Sequence, residues 1–99
     1  MKLRFTRRAR RHIEKIADYI VERNPNAARY VGGRIRETIE LLAAFPDVGH
    51  EGALAGTREL VVPGLPYIVV HRVNRGEPGE VVILGVYHGA QLRPGQEMG

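Results

Sequence analysis

Thr57–His88, TRELVVPGLPYIVVHRVNRGEPGEVVILGVYH, decides the fold. It holds three apolar, β-branched runs, Thr57–Val62, Tyr67–Val73 and Glu80–His88, each short enough for a strand. PGLP separates the first two and NRGEPG the last two, and both are rich in turn formers. Three strands joined by such tight turns form an antiparallel meander. Leu60 and Val62 then share a face with Arg58. Tyr67, Val69, His71 and Val73 share one face of the next strand, and Ile68, Val70 and Arg72 the other.

Upstream the period changes. Lys2–Thr6 alternates, with Leu3 and Phe5 on one side, and predicts a short half-buried strand. Thr6 is placed to cap a helix whose apolar stripe is Ala9, Ile13, Ile16, Ala17, Ile20 and Val21. Asn24-Pro25 ends it, because the residue before a proline avoids the α region. A second helix follows over Pro25–Ala44, with a stripe of Ala28, Val31, Ile35, Ile39 and Leu42 that Phe45 closes. Gly32-Gly33 lies in its middle, which predicts close backbone approach to the first helix. Phe45–Gly56 reads as loop, and residues 89–99 as an irregular, partly mobile tail. The expectation is one α+β domain over 1–99, β-α-α-β-β-β, with a helical hairpin on a small, mostly antiparallel sheet.

The net charge of +4 is unevenly placed. Residues 1–12 carry six cations (Lys2, Arg4, Arg7, Arg8, Arg10, Arg11) and no acid, whereas the other 87 residues hold 9 basic and 11 acidic side chains. Arg10 and Arg11 can reach Glu14, and Lys15 can reach Asp18, at helical spacing. Arg7 and Arg8 have only cations or a His within that reach. With Arg4 they are candidates for an acidic partner.

The chain has no Cys and no Ser, and its only Thr residues are Thr6, Thr38 and Thr57. That argues against hydroxyl or thiol nucleophiles, a disulfide framework and a thiolate metal site, and fits a cytoplasmic protein. No Gly-rich phosphate loop is present, the four His are scattered, and no apolar run suggests a membrane span or signal peptide. No metal or cofactor is expected. What remains is a basic and aromatic set: Arg58, Tyr67, His71, Arg72, Tyr87, His88 and Arg93. It could move protons on RNA, with His88 as acid or base, Tyr87 assisting and Arg58 clamping phosphate. It could equally bind an acidic or flat partner, with Arg4, Arg7, Arg8, Arg58, Arg72 and Arg93 in contact.

Taken in order, TRRARRHIEKIADYI, NPNAARYVGGRIRETIELLAAFPDVGHEG, TRELVVPGLPYIVVHRV and VVILGVYHGAQLRP resemble the RelE/ParE superfamily of toxins from type II toxin–antitoxin systems. The order, the spacing and the closing HGAQ..P bring the chain nearest the ParE-like branch. The resemblance implies the same fold and a cognate antitoxin whose C-terminal segment wraps the toxin. It also implies growth inhibition through DNA gyrase without catalysis, and operator DNA bound only through the antitoxin. RelE-like relatives are ribosome-dependent mRNA endonucleases with basic residues on the strands. Those positions match Glu59, Val61 and Ile68 here, which cannot stabilise a cleaving phosphate. Tyr87-His88 does resemble a pair used by some superfamily nucleases, so that alternative stays open. A third is a weakly toxic partner in plasmid stabilisation or autoregulation.

Overall fold

A computed structural model describes residues 1–96. The chain runs β1 (Lys2–Phe5), α1 (Arg7–Arg23), α2 (Pro25–Ala44), β2 (His50–Glu51), β3 (Arg58–Val61), β4 (Tyr67–Asn74) and β5 (Glu80–His88). The five strands form one mixed sheet in the order β1-β5-β4-β3-β2. β3–β4 and β4–β5 are the expected antiparallel meander. β1 joins β5 in parallel, Leu3 opposite Val81 and Phe5 opposite Ile83. β2 was expected to be loop. Its two residues pair antiparallel with Glu59 and Arg58 and form the far edge of the sheet.

The helix boundaries follow their caps. Thr6 Oγ1 accepts the Ala9 N–H at 3.0 Å, and Asn24 Oδ1 accepts the Ala27 N–H at 3.1 Å, each satisfying an amide that the helix leaves unpaired. Asn24 thereby ends α1 and starts α2 with a single residue between them. The hairpin packs on one face of the sheet. Its core joins Ala9, Val31, Ile35, Ile39 and Leu42 to Val62, Val69, Val81, Ile83 and Val86. By strand alternation Glu59, Val61, Ile68, Val70, Arg72, Val82 and Arg4 lie on the face away from the helices.

β5 carries an extra residue, Leu84, between its pairings with Val70 and His71. This bulge leaves strand-edge groups beyond the end of β1, and α1 satisfies them. The Thr6 N–H donates to Ile83 O at 3.1 Å, the Thr6 hydroxyl to Leu84 O at 3.3 Å, and the Val86 N–H to His12 Nδ1 at 3.2 Å. α1 thus takes up the edge where β1 stops. Gly85 belongs to the same contact, because a Cβ there would stand 2.6 Å from Tyr87 Cε2 and 2.9 Å from His12 Nδ1.

Some side chains depart from expectation. Val21 and Phe45 are exposed, at 51% and 57%, and close no apolar stripe. A Cβ on Gly32 or Gly33 would meet nothing within 4 Å, so neither glycine serves helix–helix approach. Gly32 instead lines a groove. Residues 89–96 form no helix or strand, and residues 97–99 of the expected tail lie outside the described residues.

Candidate functional site

An apolar groove of about 430 Å³ lies between the two helices and β1. Leu3 and Phe5 form one wall, Ile13, Ile16 and Ile20 of α1 a second, and Val31, Ile35 and Ile39 of α2 a third. Ala17, Ala28 and Gly32 keep it open by being small, and Arg36 and Glu40 sit at its rim. These are the stripes read from the sequence. The helices do not fully close on each other, so part of both stripes faces the groove.

The expected basic and aromatic set is divided by the sheet. Arg58 and His71 pair across β3 and β4 on the helix face. His71 is fully buried and its Nε2 lies 3.1 Å from Pro46 O. A carbonyl only accepts, so Nε2 carries the proton, and Nδ1 is buried without a partner among the described residues. Burial lowers the His71 pKa, with a smaller lowering from Arg58, against opposing contributions from the Pro46 carbonyl and Asp47. Arg58 donates to Gly49 O at 2.8 Å and lines a polar cleft with Thr57, Asp47, Glu51 and Arg75.

His88 lies four residues along β4 from this pair, opposite Tyr67. The two rings meet edge to face with centroids 5.8 Å apart. His88 Nδ1 accepts the Ala90 N–H at 3.1 Å. Tyr67 and His88 line a cleft of about 400 Å³ with Lys15, Tyr19 and Gln91. Tyr87 points to the opposite face of β5, where its ring packs edge-on against His12 at 4.7 Å. His88, Tyr87 and Arg58 are therefore not gathered into one site. Burial, then Arg8, Lys15 and Arg11, lower the His12 pKa, consistent with the neutral acceptor that Val86 requires.

The remaining candidates differ in their freedom. Arg93 Nε donates to Glu59 Oε1 at 2.8 Å, and Glu59 is only 2% exposed. His50 lies 3.4 Å from the same carboxylate. Arg4 pairs with Glu80 at 3.1 Å, and that contact, with the Asn74 amide, lowers the Glu80 pKa. Arg72 is exposed on the sheet. Arg7 and Arg8 are exposed at the start of α1, whose first turn holds no acid. Among the described residues no ion pair involves Arg7, Arg8, Arg10, Arg11, Lys15 or Arg72. The expected pairings of Arg10 and Arg11 with Glu14, and of Lys15 with Asp18, are not formed.

Sequence reading missed the buried Glu59–Arg93 pair, because 34 residues separate its members. It also missed the tie between His12 and Val86, which depends on the bulge. Among the described residues no group of three His, Asp or Glu side chains could hold a metal, and no helix is long and apolar enough to cross a membrane.

Residues 3–93 match the family described as ParE toxin of type II toxin-antitoxin system, parDE. The chain is 39% identical over 93 residues to "Putative toxin Y4kP" of Sinorhizobium fredii (strain NBRC 101917 / NGR234), covering 94% of this chain and 93% of that one. The solved structure titled "Chromosomal ParDE TA system from P. aeruginosa" superposes with a TM-score of 0.77 at 27% identity, covering 89% of this chain and 95% of that one. By fold and by sequence over nearly its whole length, the chain belongs to the ParE toxins of type II toxin–antitoxin systems.

Proposed function

We propose that this chain arrests bacterial growth from the cytoplasm by contacting a protein, DNA gyrase, and that a cognate antitoxin neutralises it by seating an apolar helical face in the groove between α1, α2 and β1. The observation that carries the antitoxin half is the groove itself: Leu3, Phe5, Ile16, Ile20 and Ile35 form an apolar trough open to a partner. Such a trough fits an amphipathic helix with anchors at i, i+3, i+4 and i+7. Its charged rim, Arg36 and Glu40, would set the register. The gyrase half rests on family membership. It is also supported by the position of Glu59, a buried acid held by Arg93 where RelE-like nucleases carry a cation.

The test is inducible expression with and without the neighbouring small reading frame, followed by a gyrase supercoiling assay on the purified toxin. Growth arrest, loss of supercoiling and rescue by the partner are expected. Arrest with intact supercoiling and cleaved transcripts would replace gyrase by mRNA as target. Normal growth would leave only a role in plasmid stabilisation or autoregulation.

A further inference from the structure

The other flank of α1 carries a second surface, which shares only Ile16 with the groove proposed for the antitoxin. Arg8, His12, Lys15 and Tyr19 recur at intervals of three or four residues and so share one side of the helix. Arg11 stands three residues after Arg8 and four before Lys15, so it adjoins both on the helix surface. These three cations therefore cluster around one point on the edge of β5, and none has an anionic partner among the described residues. Lys15 also lines the cleft in which Tyr67 and His88 stand edge to face. Tyr19 forms its outer wall, one ring face taken by the Arg23 guanidinium at 3.6 Å. From Arg8 to Tyr19 the surface extends roughly 16 Å, at 1.5 Å per residue.

We propose that this track binds single-stranded nucleic acid, with Arg8, Arg11 and Lys15 on consecutive phosphates and one base in the Tyr67–His88 cleft. Cations lined up beside an aromatic slot are what a flexible polyanion with flat bases requires. An acidic protein is a poorer fit, because among the described residues the only exposed large hydrophobic on the track is Tyr19, and the Arg23 guanidinium already covers one face of its ring. A duplex is also a poorer fit, because its paired bases cannot enter the cleft.

The test is fluorescence anisotropy of the purified full chain with a labelled oligothymidylate of about 12 nucleotides, alongside a duplex of equal length. The single strand should bind more tightly, with log affinity falling linearly with log salt. R8E/R11E should weaken it at least tenfold and flatten that slope. Tyr67→Leu should weaken it about tenfold, within the 1–3 kcal/mol range of one stacked base, and leave the slope unchanged. His88→Ala tests the same cleft from an exposed side chain should Tyr67→Leu not fold. No binding at about 50 mM salt, or equal binding of both probes with no effect of either cleft variant, would overturn the proposal. An Ala17→Arg block of the groove should leave this binding intact, which separates it from antitoxin recognition.

Discussion

Arg93 reaches back across the sheet to Glu59, Nε to Oε1 at 2.8 Å, and ties the segment after β5 to β3. Both side chains are largely removed from water, at 14% and 3% exposure. Removing one partner from a buried pair strands the other charge, at a cost of about 3 kcal/mol or more. Arg93→Ala should therefore lower unfolding stability by about 3 kcal/mol in urea denaturation. The double variant E59L/R93M should recover most of it, because a buried pair replaced by apolar groups is often neutral. Near-native stability of Arg93→Ala would show that the contact is dispensable.

Stability should fall on acidification through the ordinary histidine range. His12 and His71 both have lowered pKa values in the fold. The unfolded chain therefore binds more protons than the native one below the ordinary histidine value of 6.5. Their contribution is complete above that value and is lost as pH falls toward the native pKa values. Each imidazole adds a slope of at most about 1.4 kcal/mol per pH unit within that window. Denaturation midpoints at neutral and mildly acidic pH measure this, and H12Q should reduce the slope. A flat profile from neutrality down to the carboxylate range would refute it.

Gly49→Ala should be costly. Gly49 adopts φ +92, and a Cβ there would collide with Glu59 O on β3. Strain of this kind costs about 1–3 kcal/mol. Gly56 adopts φ +82 but faces open space. Gly56→Ala should cost less, so thermal denaturation of the two variants separates dihedral strain from the clash. Equal losses would mean that the collision relaxes.

The two mid-helix glycines of α2 should part company. An alanine at either position meets no atom within 4 Å and gains about 1 kcal/mol of helix propensity. Gly33→Ala should thus stabilise the fold and leave partner binding unchanged. Gly32 lines the groove, so Gly32→Leu should also fold but lower antitoxin affinity tenfold or more, as read by titration calorimetry. Full affinity of Gly32→Leu would move the antitoxin off this groove.

Local signals made most of the fold legible. The alternation of Leu3 and Phe5, the caps at Thr6 and Asn24, and the two turn segments place six of the seven elements to within a residue or so. β2 escaped because two residues in a Gly-rich loop carry no period. The site was less legible. The sequence shows that Arg7 and Arg8 lack acidic neighbours, since helical spacing is local. It cannot show that Arg93 is already paired, that His71 is sealed under Pro46, or that Tyr87 packs against His12. Those facts follow from the sheet's register and the bulge at Leu84, which long-range pairing alone determines. Gly32-Gly33 was misread for a related reason: a small residue signals room, but not who will occupy it.

The parallel pairing of β1 with β5 also sets an order of events during synthesis. β1 has its sheet partner in β5, the last strand among the described residues. Until residues 80–86 are available, β1 has no ladder to join, and Thr6 and His12 have no bulge to satisfy. A nascent chain can form its helical hairpin from local contacts early, but non-local strand pairing comes late. The apolar stripes of that hairpin stay open to any amphipathic segment nearby until the final strand arrives. Stopping translation before β5 would release a chain that has the trough residues but no sheet to hold them.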